Sequence, residues 1–253
     1  MIMTDSDVNA HAQLSGQKRI FMLGATGTIG RATLQALLDR GHEVTCFLRR
    51  KSDNAAKHKA MLNHPRLTLR YGDVTDTKSI SVDGFGDKRF DVVVSCLASR
   101  TGAPRDAWAI DYRAHHDVLD VAKDRGVKHF ILLSALCVQK PRLEFQHAKL
   151  KFEKELIKSG LIYSIIRPTA FFKSLSGQVE RVKAGKPFLI FGDGRVTACK
   201  PISDRDLAAY LVDCLDDATR QNKILPIGGP GRAITPREQG EELFRLLNMK
   251  PKF

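Results

Sequence analysis

The chain offers little from which to build a covalent staple, a metal centre or a membrane anchor. Its five cysteines, Cys46, Cys96, Cys137, Cys199 and Cys214, are odd in number and form no C-x-x-C pair. Four of them sit in apolar contexts that suit reduced, buried thiols, so no disulfide framework and no metal site are expected. The eight histidines include no H-E-x-x-H, and the adjacent His115 and His116 point to different sides of a helix, so all read as core or solvated side chains. No apolar run approaches the roughly 20 residues of a membrane span. The first 18 residues carry Asp5 and Asp7 and lack both arginine and an apolar stretch. They read as a soluble tail, not a targeting segment, and a cytoplasmic protein is expected. Repeats and low-complexity segments are absent. Acid is scarce: 28 Asp and Glu stand against 41 Lys and Arg, a net charge of +13. Such a field favours anionic partners. The cations are spread without an arginine-rich block or a nucleic-acid module, so nucleic acid is not expected. A phosphorylated cofactor, a carboxylate substrate and an anionic membrane surface all remain compatible.

What is present starts at Arg19–Gly30, R-I-F-M-L-G-A-T-G-T-I-G, an apolar run that ends in three glycines spaced three apart. A buried strand that stops at Gly24, turns, and enters a helix aims backbone N–H groups and a helix dipole at one spot, which suits a pyrophosphate. Gly24 would permit the tight turn, Gly27 the approach of phosphate, and Gly30 close packing of helix on strand. Gly24, Thr26, Gly27, Thr28, Ile29 and Gly30 are therefore candidate cofactor ligands. No G-K-[ST] follows, which excludes a nucleoside triphosphate loop of the Walker type. The segment R-A-T-L-Q-A-L-L-D-R-G places Ile29, Leu34, Leu37 and Leu38 on one helical face and stops at Gly41. Glu43–Leu48 then reads as a second strand.

An acid about 20 residues past such glycines would bind the ribose 2′-hydroxyl of NAD. Here that place holds Arg49, Arg50 and Lys51, which suit a 2′-phosphate, so the expected cofactor is NADPH. Asp53–Met61 reads as a polar helical excursion. Leu67–Tyr71 is a third strand that delivers Asp73 and Val74 to the adenine. Asp91–Leu97 is a strand buried on both faces; Cys96, Leu97, Ala98 and Ser99 at its end would line the nicotinamide half. A helix over Ala107–Asp124, a strand over His129–Ser134, a helix over Phe145–Ser159 and a strand over Ile162–Arg167 follow, with Ser134, Pro168 and Thr169 as further cofactor contacts. The alternation predicts an α/β fold, a doubly wound parallel Rossmann sheet over residues 19–167. From 168 to 253 the alternation breaks down. This half is expected to be a smaller substrate-binding lobe, with strand-like pieces at Val196–Ile202 and Ile224–Ile227 and helices at Asp204–Leu215 and Pro236–Leu247.

Short-chain dehydrogenase/reductase enzymes share this glycine spacing and carry Tyr-x-x-x-Lys on the helix after the fifth strand, both side chains on one face. The matching place here reads Phe145-Gln-His-Ala-Lys149. Lys149 can hold the nicotinamide ribose, but the acid that a developing alkoxide needs is missing, which argues against simple alcohol–ketone chemistry. At this point the chain resembles a specific group of atypical short-chain reductases, the divinyl chlorophyllide 8-vinyl-reductases. The runs Val92–Arg100, Leu132–Pro141, Leu143–Glu153, Arg167–Leu175, Cys199–Ala209 and Leu225–Gly231 carry the resemblance over almost the whole chain after the tail. It implies NADPH-dependent reduction of the C8 vinyl group of divinyl chlorophyllide or protochlorophyllide to ethyl. Hydride added to that conjugated vinyl leaves charge spread over the ring, so no focused oxyanion calls for a tyrosine. Lys149 or a water would supply the proton, and Phe145, Phe171 and Phe172 would face the flat tetrapyrrole. Chains of this family run on past Met249–Phe253, so the lobe is expected to be C-terminally incomplete. Two other readings stand beside this one: a C=C reductase of the isoflavone-reductase type, and a regulator that binds NADP without turnover.

Overall fold

The structure, a computed structural model, describes residues 16–49 and 64–253. The helix expected over Asp53–Met61 therefore lies outside the described residues, as do Arg50 and Lys51. Seven strands form one parallel sheet: β1 (Arg19–Leu23), β2 (Glu43–Arg49), β3 (Leu67–Gly72), β4 (Val92–Ser95), β5 (His129–Leu133), β6 (Ile162–Pro168) and β7 (Lys223–Ile227). Their spatial order is β3-β2-β1-β4-β5-β6-β7. The order reverses between β1 and β4, where Leu23 pairs with both Phe47 and Ser95. In open sheets of this kind the crevice beyond that reversal is where ligands bind.

Alternation along the strands sends successive side chains to opposite faces. Ile20, Met22, Ile131 and Leu133 pack with Ile29, Leu34 and Leu37 of helix α1 (Thr28–Asp39). Phe21, Leu23, Phe130 and Leu132 pack on the other face with Val118 and Leu119 of α2 (His115–Asp124) and with Phe152 and Leu156 of α3 (Glu144–Lys158). Gly41, at φ +81°, ends the α1 hairpin as expected. The helix expected from Ala107 starts earlier. Pro104, in a first-turn position that needs no N–H donor, opens a short turn over Pro104–Ala107, and a π turn over Trp108–Ala114 leads into α2.

Beyond residue 168 the chain does not stay apart. Helix α4 (Asp204–Asp213), capped by Ser203, lies against α1, and its Leu207 and Leu211 join the same apolar layer as Ile20 and Met22. β7 pairs with β6 in the main sheet. Packing therefore does not divide at residue 167. A small separate core gathers Val182, Phe188 and Phe244, the last from α5 (Pro236–Leu246), with Ile190, Met249 and Phe253 against them. The strand expected over Val196–Ile202 is also not formed; Cys199 makes one bridge to Ile234 and Ile202 one to Phe171. Pro201 lacks the N–H a ladder needs there. Cys46 and Cys214 are buried, Cys96 and Cys199 are half-buried as residues, and Cys137 is exposed. Among the described residues no helix is long and apolar enough to cross a membrane, and no group of His, Cys, Asp and Glu is placed to hold a metal ion.

Candidate active site

The glycine loop connects β1 to α1 beside the end of β4. Gly24 has φ +73°, and a Cβ there would lie 2.4 Å from the carbonyl carbon of Cys96. It serves both the turn and the close passage of the β4 loop. A Cβ at Gly30 would fall 2.0 Å from the Gly24 oxygen, so only hydrogen lets the helix seat on the turn. At Gly27 the nearest atom would be 3.5 Å away. The protein itself leaves that side open, as approach of a phosphate requires. No side chain caps α1 and no acid lies in its first turn. By contrast Ser203 caps α4, and Thr235 with Glu238 forms a capping box on α5. The α1 N-terminus keeps its positive dipole end available. Lys173 adds a charge to it, donating to the Thr28 hydroxyl at 2.6 Å. A cation at that end of a helix is unfavourable by itself and suits an anion placed between. These features fit a dinucleotide.

Arg49 ends β2 and is exposed. Asp73 follows β3, but its carboxylate is occupied within its own turn, accepting from the Thr75 amide at 2.8 Å and hydroxyl at 2.7 Å. Those bonds hold the carboxyl below its usual range. Val74 turns its side chain into the core with Phe47 and Ile80. Among the cradle residues Thr26 is exposed and Ile29 buried in the core.

At the end of β4 the Cys96 thiol faces Thr33, and burial pushes it up to about 12; it is no nucleophile at neutral pH. Leu97 is half-buried and Ala98 exposed. Opposite them stands Lys149 on α3, buried, its ammonium 2.9 Å from Asp111 Oδ1. Asp111 comes from the π turn and is wholly buried; it also accepts from the Ser99 hydroxyl at 2.6 Å and the Ser99 amide at 3.2 Å. His115 bonds the Ser95 hydroxyl at 2.8 Å through Nε2 and the Ile110 carbonyl at 2.8 Å through Nδ1. Burial and the Lys149 charge push it down to about 4, so it stays neutral at pH 7. Lys151 points away from this cluster, over the rings of Tyr112 at 4.2 Å and Trp108 at 5.9 Å. The i, i+2 offset on a helix separates the two lysines.

One turn beyond Lys149, Glu153 is buried and receives the Arg167 guanidinium of β6, with Nε 3.2 Å from each carboxylate oxygen, and the Ser134 hydroxyl. Ser134, expected at the cofactor, thus spends its proton on a bond that ties β5 to α3. Pro168 is buried at the end of β6. Thr169 takes a place beside it, its amide bonded to the Ile227 oxygen at 2.9 Å and its hydroxyl to the Lys200 carbonyl. Phe145 is half-buried on the first turn of α3. Phe171 and Phe172 part company: Phe171 packs on the core layer, whereas Phe172 is 55% exposed.

Residue-level reading thus singled out Lys149, the glycines and Cys96–Ser99 in advance, but not Asp111, His115, Glu153, Arg167 or Lys173. Glu153 had a signal, since its spacing from Lys149, Phe152 and Leu156 sets a carboxylate on the buried helix face. Asp111 had none, because the π turn shifts the helical register.

The fold compares with solved structures. WbmH from Bordetella bronchiseptica in complex with NAD+ superimposes with a TM-score of 0.76 at 20% identity, covering 93% of this chain and 84% of that one. In sequence, the chloroplastic divinyl chlorophyllide a 8-vinyl-reductases of Arabidopsis thaliana and Oryza sativa subsp. indica are 51% and 50% identical over 247 and 242 residues. The matches cover 92% of this chain and 58% and 60% of those proteins, so the chain spans about three fifths of the length of the curated relatives it matches. A family model described as NAD(P)H-binding matches residues 24–218, from the first glycine of the cradle through the helix that packs on α1. The chain belongs to this NAD(P)H-binding family.

Proposed function

We propose that the chain is an NADPH-dependent reductase that converts the C8 vinyl group of divinyl chlorophyllide or protochlorophyllide to ethyl. The observation that carries this reading is the buried ammonium of Lys149, without a tyrosine four residues before it, in a chain about half identical to the Arabidopsis thaliana reductase. The loop Gly24–Gly30 and the bare start of α1 would hold the pyrophosphate, with Lys173 adding a second positive contact. Arg49 favours the 2′-phosphate over a free ribose, since no acid stands at the end of β2. NADPH, when bound, would supply the hydride; Lys149 would hold its nicotinamide ribose, and Lys149 or a water would deliver the proton to the vinyl carbon that does not take the hydride. Charge spread through the macrocycle needs no focused oxyanion donor, which is consistent with phenylalanine at 145. Phe172, 55% exposed next to Lys173, would offer an apolar face to the pigment.

The test is anaerobic incubation of the chain with NADPH and divinyl chlorophyllide, followed by absorption and mass. The expected product is two hydrogens heavier, with its blue band at shorter wavelength. NADPH binding without any product would favour the cofactor-sensing reading, and turnover of other conjugated alkenes alone would favour the isoflavone-reductase type.

A separate observation favours contact with a membrane surface. Leu189, Phe191 and Val196 are 59%, 99% and 90% exposed. Gln178 braces their loop through both backbone groups of Leu189, and Gly194 anchors it to Arg237. Residues 173–200 carry six Lys and Arg against two acids. Flotation with phosphatidylglycerol vesicles but not with phosphatidylcholine, reduced by Phe191→Ser, is the expected outcome.

A further inference from the structure

We propose that Asp111 is a positioning residue for the cofactor site: from the π turn it holds Lys149 as a fixed ammonium and, through Ser99, ties that ammonium to the loop leaving β4. The inference rests on the NADPH reading of the site and not on the identity of the pigment.

Three features support it. The carboxylate is wholly buried, and both of its oxygens are used, Oδ1 by Lys149 at 2.9 Å and Oδ2 by the Ser99 hydroxyl at 2.6 Å. A buried carboxylate stripped of these donors would be expensive, so the three groups form one unit. Next, Asp111 lies within a π turn, Trp108–Ala114. Such turns widen the helix by one residue and interrupt its regular bonding, and they recur at functional sites. Finally, the loop it grips begins at Ser95, at the β1/β4 reversal, and its Cys96 abuts Gly24 of the phosphate cradle. Asp111 therefore couples the lysine of α3 to the same loop that borders the glycines.

The consequence concerns charge. A lysine enclosed without a counter-ion tends to shed its proton, because burial penalises the ammonium. With Asp111 in place the ammonium has a counter-charge at 2.9 Å. The other ionisable groups that pack about the pair are His115, at the start of α2, and Glu153 with Arg167, one helical turn on and on β6. His115 is neutral and Glu153 is already matched by Arg167, so neither can replace Asp111.

The test measures NADPH affinity of the full chain by nicotinamide fluorescence from pH 6 to 10. Wild-type affinity is expected to hold into the alkaline range. Asp111→Asn is expected to weaken binding about tenfold at neutral pH and to bring the alkaline loss down by about one pH unit or more. Adding Lys149→Arg to Asp111→Asn should flatten the profile again, since arginine keeps its proton. An Asp111→Asn chain with the wild-type profile would overturn the proposal, as would a double variant with the same early alkaline loss. Should Asp111→Asn fail to fold, Ser99→Ala decides: it removes the Ser99 hydroxyl from Asp111 Oδ2 and leaves the ion pair, and it is expected to weaken NADPH binding severalfold, whereas unchanged affinity overturns the proposal. Pigment reduction failing while NADPH binding holds would remove the vinyl-reductase reading and leave this one standing. If the wild-type chain binds no NADPH, the cofactor reading and this proposal fall together.

Discussion

The two edges of the sheet treat charge in opposite ways. At the edge where the strands start, Lys18 meets Asp216, Arg19 meets Asp91 and Arg40 meets Asp213, all with side chains between 26% and 48% exposed. At the edge where the strands end, Asp111 and Glu153 are 0% and 1% exposed and their partners Lys149 and Arg167 each 10%. Water solvates the first set whether or not the pairs form, so they contribute little. The second set has given up water, and each charge depends on its partner. A hollow of about 510 Å3 does open at the first edge, lined by Arg19, Glu43, Arg66, Lys88 and Arg89. It has no glycine cradle and no helix N-terminus, so it does not compete as the cofactor cleft. The edge that carries the glycine cradle thus encloses its ion pairs, whereas the edge that carries this hollow leaves its pairs in water.

The sharpest way to break that contrast is Glu153→Leu. It leaves the Arg167 guanidinium enclosed and unpaired and is expected to cost about 3–5 kcal/mol in denaturant unfolding. Glu153→Leu with Arg167→Met should recover most of the loss, because the pair's desolvation disappears with it. If the single and double variants are equally unstable, mutual dependence is not what distinguishes this edge.

Acid should expose a second difference, between buried and exposed titrating groups. His115 at one edge and His129 at the other are both enclosed and both pushed down to about 4, in each case mainly by burial. The unfolded chain, with histidines near 6.5, binds more protons than the folded one between those values. Stability is therefore full above about pH 6.5 and falls as pH drops towards 4, by about 3 kcal/mol per histidine. Replacing His129 with glutamine should flatten its share of the unfolding curve between pH 6.5 and 4. An unchanged slope would show that the buried imidazole already accepts a proton.

Lys173→Ala separates binding from stability. Loss of one charge-assisted contact to phosphate should weaken NADPH binding about tenfold or more. Because Lys173 is exposed, the melting temperature should not move. The smallest effect belongs to the solvated edge, where Arg40→Ala is expected to change stability by less than about 1 kcal/mol. A larger loss there would erase the distinction between the edges.

Local chemistry made much of the fold legible. Apolar runs of four to seven residues separated by 3.6-residue periodicity announced β1 to β6, α1 and α3. Ser203 and Thr235 marked the starts of α4 and α5 within a residue. The glycine cradle was legible because a missing Cβ is a property of the residue itself: at Gly24 and Gly30 any side chain would overlap backbone. Lys149 was legible from its place on the helix after β5. The docking of the region after residue 168 was not. Its return to the sheet through β7 and to the α1 layer through α4 depends on contacts between segments far apart in sequence, and no local pattern encodes the partner.

Most of the elements, the glycine turn between β1 and α1, and the lack of an acid at the end of β2 follow from the sequence alone. These follow from steric and periodic rules acting over a few residues. Only the tertiary structure decided which charges are enclosed and with whom. It brought Asp111 to Lys149 across 38 positions and Arg167 to Glu153 across 14, and it set Lys173 beside Thr28 across 145. Burial and pairing are properties of packed neighbours, and the chemistry of this site depends on both.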